Sequence, residues 1–103
     1  MALPDLTPEQ RAAALEKATV ARRRRAEIKT ALKSRSMALS EVLALAETDE
    51  AIAKMKVQTL LESLPRVGAN TAAQLMADVA IAPSRRVRGL GPVQREELIR
   101  RFG

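Results

Sequence analysis

The side chains best suited to bind a ligand lie in a short turn near the carboxyl end of the chain. Arg85, Arg86 and Arg88 fall between Pro83 and Gly89, two residues that interrupt helices. Arginines on such a turn can hold phosphates or enter a minor groove. The turn, closed by Gly89, therefore favours a phosphate-rich partner. An ordinary solvated basic turn is the alternative interpretation.

A second candidate site is the stretch LPRVGANTAAQLM at residues 64–76. Gly68 can adopt a positive φ at no steric cost, so we expect it to reverse the chain. The helix that then restarts has first N–H groups without intrahelical partners, and its dipole adds partial positive charge. Such a terminus can bind phosphate through its backbone. An ordinary αα-turn with a glycine cap is the alternative. The expected site comprises Arg66, Gly68, Ala69, Asn70 and Thr71.

A third basic group lies nearer the amino end, in Arg22, Arg23, Arg24, Arg25, Lys29 and Lys33. Successive helix residues are rotated by about 100°, so the four arginines cannot all face one ligand. Residues 22–35 carry seven basic groups against Glu27, a net charge of +6 that equals the net charge of the whole chain. A solvated face and a second, weaker DNA surface both fit this run. A membrane-surface helix fits less well because a broad bulky apolar face is missing.

The composition excludes several kinds of chemistry. The chain has no Cys and no His, which removes thiolate catalysis, imidazole bases and the usual zinc sites. Phe102 is the only aromatic residue, which counts against stacking on single-stranded bases. We expect no catalytic residues, no metal and no cofactor. No apolar run could span a membrane and no signal peptide is evident, so we expect a cytoplasmic protein without membrane partners.

The first element that must position these groups is a long helix. Thr7 can cap it, Pro8 suits its first position, and Gln10 completes the cap, after which nothing interrupts the chain until about Ser34. The first half has only Leu15 and Val20 as large apolar residues, which indicates an arm that docks poorly. The second half carries two large apolar residues four positions apart on one face, Ile28 and Leu32, and should be the docked part.

The remainder of the chain predicts a compact helical domain. Val57, Leu60, Leu61 and Leu64 have the clearest amphipathic spacing. Further helices are expected after a cap at Ser40, after Thr48-Asp49, over residues 69–79 and over residues 92–102. No β-alternation of useful length is present. The prediction is an all-α fold of about five helices, with an arm at residues 1–38 and a binding domain at residues 39–103.

The sequence also resembles known families. IAPSRRVRGLGPVQREEL, residues 81–98, is similar to helix-two-turns-helix domains, which occur in a ribosomal small-subunit protein and in some DNA glycosylases. The hairpin resembles a helix-hairpin-helix, although Arg66 stands where that pattern has its first glycine. Together with MALPDLTPEQRAAALEKA and KMKVQTLLESLPRVG, nearly the whole chain resembles the actinobacterial integration host factor. In that family the DNA-contacting basic cluster falls on Arg85, Arg86 and Arg88.

This resemblance implies a function. The family is all-α, nucleoid-associated and non-enzymatic, and it binds DNA and assists phage integration. We therefore expect duplex DNA as the partner, with weak sequence preference, and integrase–DNA complexes as further partners of a monomer in the nucleoid. DNA bending or compaction is the expected mechanism. A structured-RNA binder like the ribosomal protein is the alternative. A glycosylase is rejected because no second domain could hold a flipped base.

Overall fold

The computed structural model describes residues 6–103, and residues 1–5, with the MALP motif and the first part of the expected arm, lie outside them. The described residues form six α-helices and one 3₁₀ turn, Val87–Gly89, and no β-strand. The all-α prediction is confirmed, with one helix more than expected. The helices are α1 Pro8–Lys33, α2 Leu39–Leu45, α3 Glu50–Ala53, α4 Val57–Glu62, α5 Ala69–Asp78 and α6 Pro92–Phe102.

Helix α1 begins as its sequence predicts. The Thr7 hydroxyl accepts the backbone N–H of Gln10 at 3.1 Å, and the Gln10 side chain accepts the N–H of Thr7 at 2.9 Å. Two otherwise unpaired donors are thus satisfied at the first turn. The helix ends beyond Lys33, where Arg35 takes a φ of 63° and the chain turns toward α2.

Only the second half of α1 contributes to the hydrophobic core. Ile28 and Leu32 are each 1% exposed, whereas Leu15 and Val20 are 67% and 57% exposed. The predicted apolar face of α4 is also buried, including Leu64 just beyond the helix. The core is completed by residues of the other elements, among them Leu39, Val42, Leu43, Ile52, Met55, Ala72, Met76, Ile81, Val87 and Leu98.

Polar contacts fix how α1 lies against α3 and α4. Arg24 Nε donates to Asp49 Oδ2 at 2.8 Å, at the start of α3. Nine residues later, Lys33 Nζ donates to the carbonyls of Glu62 and Leu64, at the end of α4. The docked half of α1 therefore runs in the same direction as α3 and α4. This arrangement brings its basic residues beside the connection between those two helices.

Of the three predicted helix caps, those at Thr7 and Asp49 are present. Asp49 caps α3 by accepting the N–H of Ala51 at 3.0 Å. The cap predicted at Ser40 is wrong, because α2 begins at Leu39 and Ala38 is the cap residue. The N–H of Ala38 donates to Glu41 Oε1 at 3.3 Å, so a carboxylate in the first turn satisfies the donor of the cap residue. Helix α6 begins at Pro92 as expected.

Candidate nucleic-acid interface

The turn that carries the three arginines is fastened to the start of α4. The N–H of Val57 donates to the Arg85 carbonyl, and the N–H of Val87 donates to the Met55 carbonyl, each at 2.9 Å. These bonds form an isolated antiparallel bridge between Lys56 and Arg86. The backbone of the arginine turn is therefore held by residues about 30 positions earlier in the chain, which gives it a fixed position on the domain.

Each of the three arginines has one partner within the protein. Arg85 Nη1 donates to the Gly89 carbonyl and Arg86 Nη1 to the Lys54 carbonyl. Arg88 Nη2 lies 3.4 Å from Glu50 Oε1. Each guanidinium has five N–H donors, so most donors stay available to an external anion while the side chain keeps its direction. The positive charge of Lys54, and to a smaller extent the hydrogen bond from Arg88, lower the pKa of the Glu50 carboxyl below its ordinary value.

Gly89 has a packing role in this turn. A Cβ at this position would lie 2.9 Å from Cδ of Arg85, closer than side-chain carbons normally approach. The absence of a side chain lets Arg85 fold over the turn and reach the Gly89 carbonyl. Gly89 therefore helps to set the orientation of Arg85.

Five basic side chains from three segments meet in one surface cleft. Its lining residues are Arg25 and Lys29 of α1, Lys54 and Lys56 of the α3–α4 connection, and Arg86, together with Met55 and Thr59. We call this the basic cleft. Among residues 6–103, no acidic residue lines it, and of the five cations only Lys54 lies near a carboxylate, 3.7 Å from Glu50. The arrangement concentrates positive charge that the protein itself barely compensates.

The cleft joins two groups that the sequence analysis kept apart. Arg86 belonged to the expected primary site, and Arg25 and Lys29 to the secondary one. Sequence reasoning missed Lys54 and Lys56. A signal was present, because these lysines alternate with Met55 and Val57, which are 3% and 0% exposed. Lys54 ends α3 and Lys56 precedes α4, and both are exposed, so buried and exposed side chains alternate along this connection.

The hairpin forms differently from the prediction. Residues 64–67 make a β-turn in which the N–H of Val67 donates to the Leu64 carbonyl at 3.2 Å. Arg66 has a φ of 66°, whereas Gly68 has φ −92° and ψ −177°. The expectation that Gly68 is left-handed is therefore wrong. Pro65 at the second turn position, followed by a positive φ at the third, is the pattern of a type II turn.

The start of α5 is open, as expected. Gly68 is the residue before the helix, and no side chain caps it. Gly68, Ala69, Asn70 and Thr71 are all exposed, so the first amides of a ten-residue helix face outward. A Cβ on Gly68 would meet nothing within 4 Å. Exposure of the amides therefore does not depend on glycine.

The arginine turn and the hairpin lie at opposite ends of α4. The turn lies at the amino end of α4, and the hairpin follows its carboxyl end. Helix α4 has six residues, so it separates the two by roughly 9 Å at 1.5 Å per residue.

The basic residues of α1 point in several directions, as their rotation predicts. Arg24 contacts Asp49 and Glu27, Arg25 lines the basic cleft, and Arg22 and Arg23 are exposed. Lys33 was expected in the secondary binding group, but its ammonium is hydrogen-bonded to two carbonyls at the end of α4. This contact holds the end of α1 against the residues that lead into the hairpin. Within residues 6–103 no group of three His, Cys, Asp or Glu residues is placed to hold a metal ion.

Comparison with known proteins agrees with this arrangement. The family model described as S13-like H2TH domain matches residues 32–102. The integration host factor of Mycobacterium tuberculosis is 57% identical over 103 residues, covering 100% of this chain and 98% of that protein. The chain belongs to the actinobacterial integration host factor family. The integration host factor of Mycolicibacterium smegmatis is 58% identical over 102 residues, covering 99% of this chain and 97% of that protein.

A solved structure of the integration host factor family has the same fold. It is described as sIHF bound to an 8-base-pair palindromic DNA, and it matches with a TM-score of 0.83 and 51% identity. The match covers 85% of this chain and 99% of that chain. The S13-like domain begins at residue 32, near the end of α1, whereas the relatives cover the whole chain. The long helix of this chain thus lies mostly outside the residues that the S13-like family model matches. Within the described residues no helix is both long and apolar enough to cross a membrane.

Proposed function

We propose that this protein is a non-enzymatic architectural protein that binds duplex DNA through its phosphate backbone. The observation that carries the proposal is the basic cleft, in which five cations from three chain segments converge without an acidic lining residue. Gathering like charges has an electrostatic cost, which a polyanion bound in the cleft would offset. The DNA in the neighbouring sIHF structure supports the choice of ligand.

The composition of the site supports weak sequence preference. Adenine and cytosine edges are read mainly by amide and carboxylate side chains that reach into a groove, whereas lysine and arginine also bind phosphates. The basic cleft has no amide and no carboxylate among its lining residues. Asn70, exposed at the start of α5, and the half-buried Gln58 are the candidate amide readers. Phosphate contacts from the arginine turn, the cleft and the open amides of α5 would then supply most of the affinity.

The spacing of these groups supports bending or compaction of DNA. Cleft and hairpin are separated by about the length of α4, so one duplex that touches both would be held at two points. Bending a 20–30 bp site by 40–90° costs on the order of 1–6 kcal/mol, which a few added phosphate contacts offset. Shortening or bending DNA in this way would bring distant sites together for integrase–DNA complexes in phage integration. Such a protein would act in the nucleoid.

We assign different roles to the two parts of the chain, as the sequence predicts. Residues 39–103 would form the DNA-binding domain, aided by the docked half of α1, and the exposed half of α1 would act as an arm. Structured RNA is the alternative ligand, because the matching family model is described as S13-like. The same cationic groups would contact either duplex, so the test must include both.

Salt titration of binding decides the proposal. Log affinity for several unrelated DNA duplexes should fall with log salt by roughly 0.9 for each phosphate neutralised, with little difference between sequences. Changing Arg85, Arg86 and Arg88 together to Ala should flatten this slope by up to about 2.7, with unchanged helical circular dichroism. A matched control changes Arg11, Lys17 and Arg100 to Ala. Salt-independent binding, equal losses in both triple variants, or tighter binding to RNA duplexes would contradict the proposal.

A further inference from the structure

Three residues adopt a left-handed backbone where glycine is the usual choice. They are Arg35, Arg66 and Ala80, with φ of 63°, 66° and 60°. An L-residue in this conformation brings its Cβ close to the carbonyl oxygen, which destabilises the fold relative to glycine. Two of the three are arginines. Such strain is often retained where a side chain has a function, so these two arginines need an explanation.

The backbone at Arg35 does not itself require arginine. The N–H of Ser36 donates to the Ala31 carbonyl at 2.9 Å and that of Arg35 to the Leu32 carbonyl at 3.2 Å, which is a Schellman motif. Ala80 ends α5 with the same pair of bonds, from Ile81 to Met76 and from Ala80 to Ala77. One motif is thus closed by an arginine and the other by an alanine. The arginine side chain is not needed for the turn.

Arg35 and the hairpin lie at the same end of the molecule. Arg35 and Pro65 line one surface pocket, whose apolar part includes Met37 and Phe102. Lys33 ties the end of α1 to the Leu64 carbonyl at 3.0 Å, one residue before Pro65. Two acidic or basic neighbours also line this pocket: Glu41, whose carboxylate accepts the N–H of Ala38, and Arg101, which is paired with Glu97.

The guanidinium groups of Arg35 and Arg66 have no partner within residues 6–103. Neither forms an ion pair or a side-chain hydrogen bond there, and both are exposed. Arg85, Arg86 and Arg88 each give one donor to the described part of the chain, whereas Arg35 and Arg66 give it none. The strained backbone therefore presents two unused cations at the surface where α1 and α4 both end.

We propose that Arg35 and Arg66 form a second phosphate-binding surface for duplex DNA, which we call the end surface. The proposal rests on the proposed function and adds Arg35, which lies outside the basic cleft and entered the sequence analysis only in the net charge of residues 22–35. The left-handed conformation is kept at both positions because a guanidinium is needed there. Replacement by glycine should then make the fold more stable and DNA binding weaker, two effects that a merely structural arginine would not combine.

Glycine substitutions at all three left-handed positions test the end surface. Arg35→Gly and Arg66→Gly should each raise the Tm by a few degrees and flatten the salt dependence of duplex binding by roughly 0.9. Ala80→Gly is the matched control, because it relieves the same left-handed strain as the two arginine variants and does so in the same motif as Arg35. It should raise the Tm and leave DNA binding unchanged. Arg11→Ala controls for loss of a single positive charge.

Wild-type binding to a DNA duplex is measured first, so that failure of the end surface can be distinguished from failure of the proposed function. If the wild type binds and both arginine variants bind equally well, the end surface is wrong and the proposed function stands. If the Tm falls in both arginine variants while it rises in Ala80→Gly, these arginines hold the fold and the end surface is also wrong. A wild type that binds no duplex overturns the proposed function and removes the ligand assigned to the end surface.

Discussion

The two halves of α1 belong to one uninterrupted helix and differ in almost every other respect. Residues 8–21 carry two acidic and two basic side chains, a net charge of zero, whereas residues 22–33 carry six basic side chains against Glu27. Leu15 in the outer half is 67% exposed, and Leu32 in the inner half is 1% exposed. Helical structure continues across the boundary while burial and charge change sharply.

The difference shows that separate causes stabilise the two halves. An isolated helix of 12–15 residues is marginal in water, and the outer half has no core to pack against. Its supports are the Thr7–Gln10 cap, a high alanine content and continuity with the inner half. The inner half is held by Ile28, Leu32 and the Arg24–Asp49 pair. The charge that would attract DNA is therefore confined to the half whose position is fixed.

The largest expected contrast is in stability. Leu32→Ala should lower the free energy of unfolding by about 2–5 kcal/mol, because it leaves a cavity in the core. Leu15→Ala makes the same chemical change on the same helix and should alter stability by less than about 0.5 kcal/mol. Urea denaturation of the two variants measures both values. Similar losses would mean that the outer half is docked in solution.

The next contrast concerns DNA affinity. Changing Arg25 and Lys29 together to Ala should flatten the salt dependence of duplex binding by up to about 1.8, since both line the basic cleft. The control variant, Arg11 and Lys17 to Ala, removes two positive charges from the outer half. Its salt dependence should match the wild type. A flattened slope in the control would show that the outer half also contacts phosphates.

A smaller contrast separates compaction from affinity. Arg22 and Arg23 are exposed and lie outside the basic cleft, so they can meet a second segment of duplex. Changing both to Ala should reduce DNA compaction in single-molecule extension more than it reduces affinity for one short duplex. Arg24 is left intact because it is paired with Asp49. Parallel losses in both assays would indicate one binding surface, and no loss in either would indicate a solvated face.

The smallest contrast depends on pH. The hydrogen bond from Arg24 lowers the pKa of the Asp49 carboxyl from 3.8. The depressed folded-state pKa stabilises the protein above the unfolded pKa, and this contribution disappears as pH falls below about 4 and through the folded pKa. Asp49→Asn keeps a capping side chain and removes the charge. We expect a loss of about 1 kcal/mol or less at pH 7, because the pair is partly exposed.

That loss should shrink as the pH falls below the unfolded pKa of the carboxyl and through its lowered folded pKa. Thermal denaturation of wild type and Asp49→Asn over a series of pH values from 7 downward makes the comparison. A difference that is the same at every pH would show that the carboxylate charge is not what anchors the inner half of α1.

Features that depend on residues close together in the sequence were predicted well. The capping box at Thr7, the exposed and buried halves of α1 and the apolar face of α4 follow from spacing and residue type alone. The family was also identified from ordered motifs, and the comparisons confirm it. Local chemistry specifies these features, so no knowledge of the tertiary fold was needed.

Features that depend on contacts between residues far apart in the sequence were missed. The basic cleft requires α1 to run beside the α3–α4 connection, and no pattern within either segment shows that pairing. The hairpin was predicted wrongly for another reason. Glycine tolerates a positive φ most easily, so the positive φ was assigned to Gly68. Pro65 in fact places the positive φ at Arg66. At this position the geometry of the type II turn outweighed the preference of glycine for a positive φ.

The exposed half of α1 also affects how the protein behaves as a particle in solution. The radius of gyration is 15.8 Å, and the molecule measures 47 × 33 × 24 Å. A compact chain of this length has a radius of gyration of roughly 13 Å. A single copy should therefore elute from a sizing column somewhat earlier than a compact protein of the same mass, and sedimentation equilibrium or light scattering is needed to obtain its true mass.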